Sequence, residues 1–323
     1  MNNEAAPYDP LLREVPLPLV ATYYALGFAV EVATNSAEVL EAAAESWGGY
    51  QREFESRPVR LRVIVQAGGD RAPEPVVRTQ EHYFSVVADR ENFGAYDSAT
   101  FFGYCYLNEA TAADRPWFRF HFLETMAYML LAQRYVMPLH AACVARNDVG
   151  VLLYGHSGAG KSTLAWACAR AGWTYVADDG AWLLPDVEPP TVLGRCRQIR
   201  FKPDAPRLFP ELGALVARLR PDGKRSIEVP VADFPAIRTA SRTRVDCVVD
   251  LDRRSSVAAS ISPADSAELA ALLANDMPRY GDEVRARYDA AIAKLLRAPC
   301  YRLTYDKLDD AVELLAACTE RME

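Results

Sequence analysis

The residues best suited to chemistry lie between Gly155 and Asp179. Gly155-His156-Ser157-Gly158-Ala159-Gly160-Lys161-Ser162-Thr163 is a glycine-rich stretch closing on a lysine and two hydroxyl side chains. Glycines let successive backbone N–H groups curl around an anion, and a helix that follows points the positive end of its dipole at the same anion. A lysine at this spacing reaches the β- and γ-phosphates of a nucleotide, and the hydroxyl of Ser162 is then placed to ligate Mg²⁺. The context agrees. An apolar run, VGVLLY, precedes the loop, and KSTLAWACARAG continues it at helical spacing.

A short distance on, TYVADD ends an apolar strand on two carboxylates, Asp178 and Asp179. In a parallel sheet that end of a strand lies beside a phosphate loop. Adjacent carboxylates there are costly unless a metal or a substrate engages them. One can take the proton of an acceptor hydroxyl while the other holds Mg²⁺, directly or through water. A solvated acidic turn before Gly180 is the plainer reading of the pair alone; the loop upstream favours the chemical one. Further along, IRFKPD and PDGKRSIEVP supply Arg200, Lys202, Lys224 and Arg225. These are candidate clamps for phosphate or for an acidic acceptor, and a solvated basic rim is an equal competitor. The Gly-Lys-Arg turn favours Lys224 and Arg225, with Arg195 and Arg197 behind them.

Elements must hold these residues in place. The 323 residues suggest two domains, a mixed α+β one over 1–135 and an α/β one over 136–323. In the first, 21–34 reads as one strand, and 36–50 as a helix opened by Ser36 with Glu38 in its first turn. Strands follow at 59–67, 82–89 and 99–108, then one largely buried helix at 117–135. Trp47, Tyr83 and Trp117 read as core. In the second, two short strands flank an Asn-Asp turn, and strand, loop, helix and strand form a βαβ unit around the glycines. Helices are expected at 210–220, 266–276 and 308–323, and a buried strand at 244–253.

The composition excludes several classes. A net charge of −7 speaks against a general nucleic-acid binder. Seven scattered cysteines without a C-x-x-C pair fit reduced, packed thiols better than disulfides or zinc. No apolar stretch reaches the roughly eighteen residues a membrane span needs. The N-terminus has no basic segment leading into an apolar one, so the expected location is the cytosol.

The run LHAACVARNDVGVLLYGHSGAGKSTLAWACARAGWTYVADDGAWLL, together with LTYDKLDDAVELL (303–315), resembles the catalytic domain of HPr kinase/phosphorylase and its kinase-like relatives. The matching features are His140, the loop from Gly155 to Ser162, the Asp178–Asp179 pair and the C-terminal Leu-x-Tyr segment. The resemblance covers residues 136–323, most specifically their first fifty. It implies a PEP carboxykinase-like P-loop kinase domain preceded by a smaller α+β domain. It also implies ATP (or GTP) and Mg²⁺ as cofactors, Asp178 as base, Asp179 as support for metal or substrate, and His140 near the transferred phosphate. The acceptor would be a hydroxyl of a peptide, a protein or a small molecule, and a homo-oligomer is possible in such a family. Where HPr kinase carries Glu-x-Arg-Gly-Leu-Gly, this chain has VLGRCRQIRFKPD, with no glutamate. That sets it nearer to kinase-like relatives, such as those of lasso-peptide clusters, than to an enzyme with a phosphorylase reaction. A nucleotide-sensing interaction module with little turnover is the alternative.

Overall fold

The computed structural model describes residues 15–278 and 280–322. It divides into two compact units, one ending at Leu130 and the other beginning at Leu131. Among the described residues no helix is long and apolar enough to cross a membrane.

The first unit holds β1 (Leu19–Ala25), β2 (Phe28–Thr34), α1 (Ala37–Trp47), β3 (Val59–Gln66), β4 (Val76–Gln80), β5 (Tyr83–Val87), β6 (Phe93–Asp97) and β7 (Phe102–Asn108). Its strands lie in the order β1-β2-β3-β7-β6-β5-β4. Strict alternation of buried and more exposed residues in β2, β5 and β6 shows a sheet with one face covered. The covering side includes α1, which buries Val39, Ala42, Ala43 and Trp47. Ser36 occupies the N-cap position, but its hydroxyl makes no capping bond.

Three expectations for this unit need correction. The stretch 21–34 is a hairpin of β1 and β2, because Leu26 (φ 53°) and Gly27 (φ 85°) are both left-handed and reverse the chain. Apolar alternation continues on either side of the turn, which hid it. The run 117–135 is broken: α2 (Glu109–Ala113) and α3 (Arg115–Phe118) lead into a π-helical turn at Arg119–Leu123, and only then does α4 (Glu124–Ala132) form. Tyr83, read as core, is 54% exposed, whereas Trp47 and Trp117 are buried.

The second unit continues with β8 (Met137–Leu139), β9 (Ala142–Arg146), β10 (Val149–Tyr154), α5 (Lys161–Arg170), β11 (Thr174–Ala177), β12 (Ala181–Leu184), β13 (Thr191–Gly194) and β14 (Gln198–Phe201). Then come β15 (Arg218–Leu219), β16 (Arg225–Pro230), β17 (Arg238–Thr239), β18 (Arg242–Arg244), β19 (Cys247–Arg253) and β20 (Ser260–Pro263). It ends with α6 (Ser266–Asn275), α7 (Asp282–Leu295), β21 (Cys300–Tyr305) and α8 (Leu308–Glu320). The main sheet has the order β17-β11-β9-β10-β19-β21-β20, and two smaller sheets, β18-β13-β12-β8 and β14-β16-β15, accompany it.

Period two splits the main sheet between two cores. Val151 and Leu153 of β10, with Val249 and Leu251 of β19, pack into one apolar cluster with Leu164 of α5 and Leu315 of α8. Leu152 and Tyr154, with Val248, pack into another with Leu269 of α6 and Ile292 of α7. Strands buried on both faces read as continuous apolar runs, as VGVLLY does. The Asn-Asp turn is real: Asn147 (φ 47°) and Asp148 (φ 64°) supply the two left-handed residues that a tight β9–β10 hairpin needs.

The helix expected at 210–220 does not form. Only a 3₁₀ turn at Pro210–Leu212 exists, and Arg218–Leu219 pair with β16 instead. Leu212 is buried, but Val216 and Leu219 are 74% and 72% exposed, so the buried apolar stripe does not run the length of a helix.

Two sheets approach closely at Gly194. A Cβ there would run into the carbonyl of Val176, in the strand that carries the aspartates. Gly194→Ala should therefore destabilise the chain by about 2–3 kcal/mol, read as a lower urea midpoint. An unchanged midpoint would show that the approach is looser than described.

Candidate functional site

β9 runs antiparallel to both β10 and β11, so these two are parallel and end on the same edge. β19 is parallel to β10, and β21 to β19, so their ends join them. Five pieces of chain therefore meet at one edge. They are the glycine loop after β10, the aspartates after β11, Arg253 closing β19, Tyr305 closing β21, and His140 just ahead of β9. This is the carboxyl edge, where open α/β sheets bind ligands.

The loop is built by backbone conformation. Gly155, Gly158 and Gly160 have φ of 147°, 90° and 97°. His156, Ser157 and Gly158 form its exposed crest, and the Ala159 amide donates to the His156 carbonyl at 3.0 Å. α5 begins at Lys161, whose side chain is buried and whose Nζ donates to the carbonyl of Gly155 at 2.8 Å and of His156 at 3.4 Å. Ser162 and Thr163 are half-buried at the head of the helix. The Tyr305 hydroxyl donates to the Ala159 carbonyl at 3.1 Å and stands 2.6 Å from where a Cβ on Gly160 would sit. Tyr305 thus pins the loop and excludes any side chain at Gly160.

The aspartates differ sharply. Asp178 is buried, and its Oδ2 accepts the backbone N–H of Arg200 at 2.8 Å. Burial, reinforced by the charge of Asp179, pushes its carboxyl up to about 6 against the Arg200 hydrogen bond. Asp179 is exposed, and its Oδ1 accepts from His140 Nε2 at 2.7 Å. Partial burial would raise it too, but the His140 hydrogen bond and the charges of His140, Lys161 and Arg220 outweigh that and hold it below the usual carboxylate range. Burial pulls the Lys161 ammonium below its ordinary value, opposed by Asp179 and Asp276. Asp276 itself accepts the Tyr154 hydroxyl at 2.7 Å.

The basic candidates separate. Lys202 stands over the loop, its Nζ 3.7 Å from a Cβ built on Gly158. Arg200 meets Asp178 through its backbone, while its guanidinium pairs with Glu228 at 2.9 Å. Lys224 and Arg225 are exposed, and Arg225 donates to the Ala217 carbonyl at 3.1 Å. The cation of that turn whose charge bears on Asp179 is Arg220, which is paired with Asp222 at 3.2 Å. Arg253 adds a further cation, its Cδ 3.7 Å from the Cβ position of Gly160 and its guanidinium 6.0 Å from the Tyr305 ring centre. Sequence reasoning did not single out Arg220, Arg253 or Asp276, and it marked Tyr305 only as the tyrosine of the Leu-x-Tyr segment. Arg253 does end a strand-like run, the one signal available for it.

Among the described residues no group of three or more His, Cys, Asp or Glu is gathered as a metal cage. Mg²⁺ needs none, since it binds through one or two carboxylates and completes its shell with phosphate oxygens and water. An exposed carboxylate held ionised, Asp179, and the hydroxyl of Ser162 are hard oxygen donors of that kind.

A family model described as "SynChlorMet cassette protein ScmC" matches residues 104–191, well under half of the chain, a span that includes the loop and both aspartates. Among solved structures the chain is similar to the HPr(Ser) kinase/phosphatase from Coxiella burnetii, at 13% identity and a TM-score of 0.31, over 57% of this chain and 97% of that one. No curated protein matches.

The raised Asp178 carboxyl has a measurable consequence. The folded chain holds this proton up to about pH 6, while the unfolded chain releases it near the ordinary aspartate value of 3.8. Asp178 therefore costs the wild type stability as pH rises through this window, and the cost is complete above about 6. Asp178→Asn removes it. Relative to wild type, the variant should gain about 2–3 kcal/mol in unfolding free energy between pH 4 and pH 7. A pH-independent difference in urea unfolding would mean that this carboxyl is not desolvated.

Proposed function

We propose that the second unit is an ATP- and Mg²⁺-dependent phosphotransferase acting on a hydroxyl of a peptide, a protein or a small molecule. The observation that carries this reading is the convergence, on one sheet edge, of a glycine loop with its buried lysine and a desolvated carboxylate whose neighbour is held ionised. A loop alone binds a nucleotide; the second group is what transfer to an acceptor needs.

Lys161 now donates to two carbonyls, and nucleotide phosphates would offer it stronger, charge-assisted bonds in their place. Asp178 accepts the proton of the acceptor hydroxyl as its oxygen attacks the γ-phosphorus. The bond from that phosphorus to the β–γ bridging oxygen breaks, and ADP leaves. Lys202, Arg220 and Arg253 surround the region where charge develops. Mg²⁺ held by Ser162 and Asp179 would neutralise charge on the β- and γ-phosphates. His140 holds Asp179 through its hydrogen bond.

The test is transfer of γ-labelled phosphate from ATP into a size-fractionated extract of the source cells. Wild type should label one fraction, and Asp178→Asn should lower the rate roughly 10²–10⁴-fold with ATP affinity intact. Lys161→Ala should lose both transfer and affinity. The wild-type rate should climb with pH and level off above about 6, where Asp178 has given up its proton. Labelling by Asp178→Asn at the wild-type rate would overturn the base assignment. No label, with ATP still bound by wild type, would point to a nucleotide-sensing module.

A further inference from the structure

Asp276 is tied to the strand that carries the glycine loop, yet phosphate binding gives it no part. Tyr154 closes β10 and immediately precedes Gly155. Its ring is buried on the α6 side of the sheet, in the cluster that holds Leu269 and Leu273 of α6. Its hydroxyl donates to Asp276 Oδ2 at 2.7 Å. Burial raises that hydroxyl well above the ordinary tyrosine range, and the hydrogen bond to Asp276 raises it further, so it stays a donor.

The aspartate sits where a helix least favours one. It is the C-cap of α6, whose last turn holds no basic residue. That end of a helix carries the negative end of its dipole and prefers a cation. Among the described residues Asp276 forms no ion pair. Asp250 supplies the contrast. It lies opposite Tyr154 in register and is buried, but Arg302 pairs with it at 2.9 Å and with Glu268 of α6 at 3.1 Å. Asp250 has its cation; Asp276 has only the neutral hydroxyl of Tyr154.

Its charge bears on the loop. Lys161 Nζ donates to the carbonyl of Gly155, the residue next to Tyr154, at 2.8 Å. Burial pulls that ammonium down, and the charges of Asp179 and Asp276 oppose the pull. Toward Lys161 the Asp276 carboxylate is therefore attractive. Toward phosphates gathered by the same lysine it is repulsive, and like charges repel more strongly where water is partly excluded.

We propose that Asp276 sets the strength of nucleotide binding: held in place by the Tyr154 hydroxyl, its carboxylate opposes the phosphates, weakens their binding and speeds release of the product nucleotide. This rests on the reading that nucleotide phosphates sit on the glycine loop. The sign of the effect separates the role from a structural one. A residue that only tied α6 to β10 would loosen the loop when lost and so weaken binding; loss of an opposing charge tightens it.

The experiment is calorimetric titration of the full chain with ATP and ADP, with and without Mg²⁺, paired with stopped-flow release of fluorescent N-methylanthraniloyl-ADP. Asp276→Asn keeps an oxygen for the Tyr154 hydroxyl and removes the charge. With circular dichroism unchanged, it should bind ATP without Mg²⁺ roughly three- to tenfold more tightly than wild type. The gain should be smaller for ADP, which carries less charge, and smaller for either nucleotide in Mg²⁺. ADP release should slow in step with the gain in ADP affinity. Asp276→Glu should return affinity toward that of wild type. Tyr154→Phe frees the carboxylate to turn into solvent and should tighten binding by a smaller factor. Glu320→Gln removes a charge beside Arg146, at the other edge of the sheet, and should change nothing. Unchanged or weaker binding by Asp276→Asn, weaker binding by Tyr154→Phe, weakening confined to Mg²⁺ as for a lost metal ligand, or equal tightening by Glu320→Gln would each overturn the inference and leave the nucleotide reading standing. No binding of either nucleotide by wild type would overturn both.

Discussion

The second unit depends on the antiparallel insertion of β9 between β10 and β11. That single constraint makes β10 and β11 parallel and sends both of their following segments off one edge. Had β11 paired directly with β10 as a hairpin, the aspartates would lie at the far end of the sheet, roughly 3.3 Å further for each intervening residue. The insertion is set locally by Asn147 and Asp148, which accept left-handed backbone more readily than most residues. It is held globally by alternation, since β10 must satisfy an apolar cluster on each face. Parallel β19 and β21 then extend the edge, so that Tyr305, distant in sequence, becomes the residue that fixes Gly160.

The same packing explains why charged groups can be kept out of water there. A buried lysine and a buried carboxylate each work against folding. Both are stabilised by backbone groups: Lys161 by the carbonyls of Gly155 and His156, Asp178 by the amide of Arg200. Those partners are neutral, so they satisfy hydrogen bonds without discharging the groups. The edge thus keeps a lysine cation and a buried carboxyl incompletely compensated, the condition in which an arriving anion or hydrogen-bond donor gains most.

Much of this was legible in the sequence, for identifiable reasons. The loop was readable because its requirements are local: glycines, a lysine, a strand before and a helix after. The aspartates were readable because they end a continuous apolar run. The turn residues Leu26 and Gly27 were not, because apolar alternation persists across them. The segment 210–220 misled because its leucines have helical spacing but only Leu212 is buried while Leu219 lies in solvent, leaving tertiary pairing with β16 to decide the conformation of its end. Lys224 and Arg225 were favoured on reach alone, yet within the turn that joins β15 to β16 it is Arg220 whose charge bears on Asp179, beside those of His140 and Lys161. Tyr83 was assigned to the core by residue type. Which face of a strand meets a helix is a fact of the fold, and the type of one aromatic does not carry it.

The final step concerns two neighbours of identical chemistry. Asp178 and Asp179 share a backbone turn, so nothing in their type distinguishes acid from base or base from metal ligand. Successive side chains near a strand end point in opposite directions, and here one enters the protein while the other meets His140 at the surface. Desolvation dominates the first and raises it; histidine, lysine and arginine dominate the second and lower it. A carboxyl raised toward neutrality is suited to exchanging a proton, and one held ionised is suited to a cation. The opposite shifts of the two aspartates therefore follow from the strand's period of two.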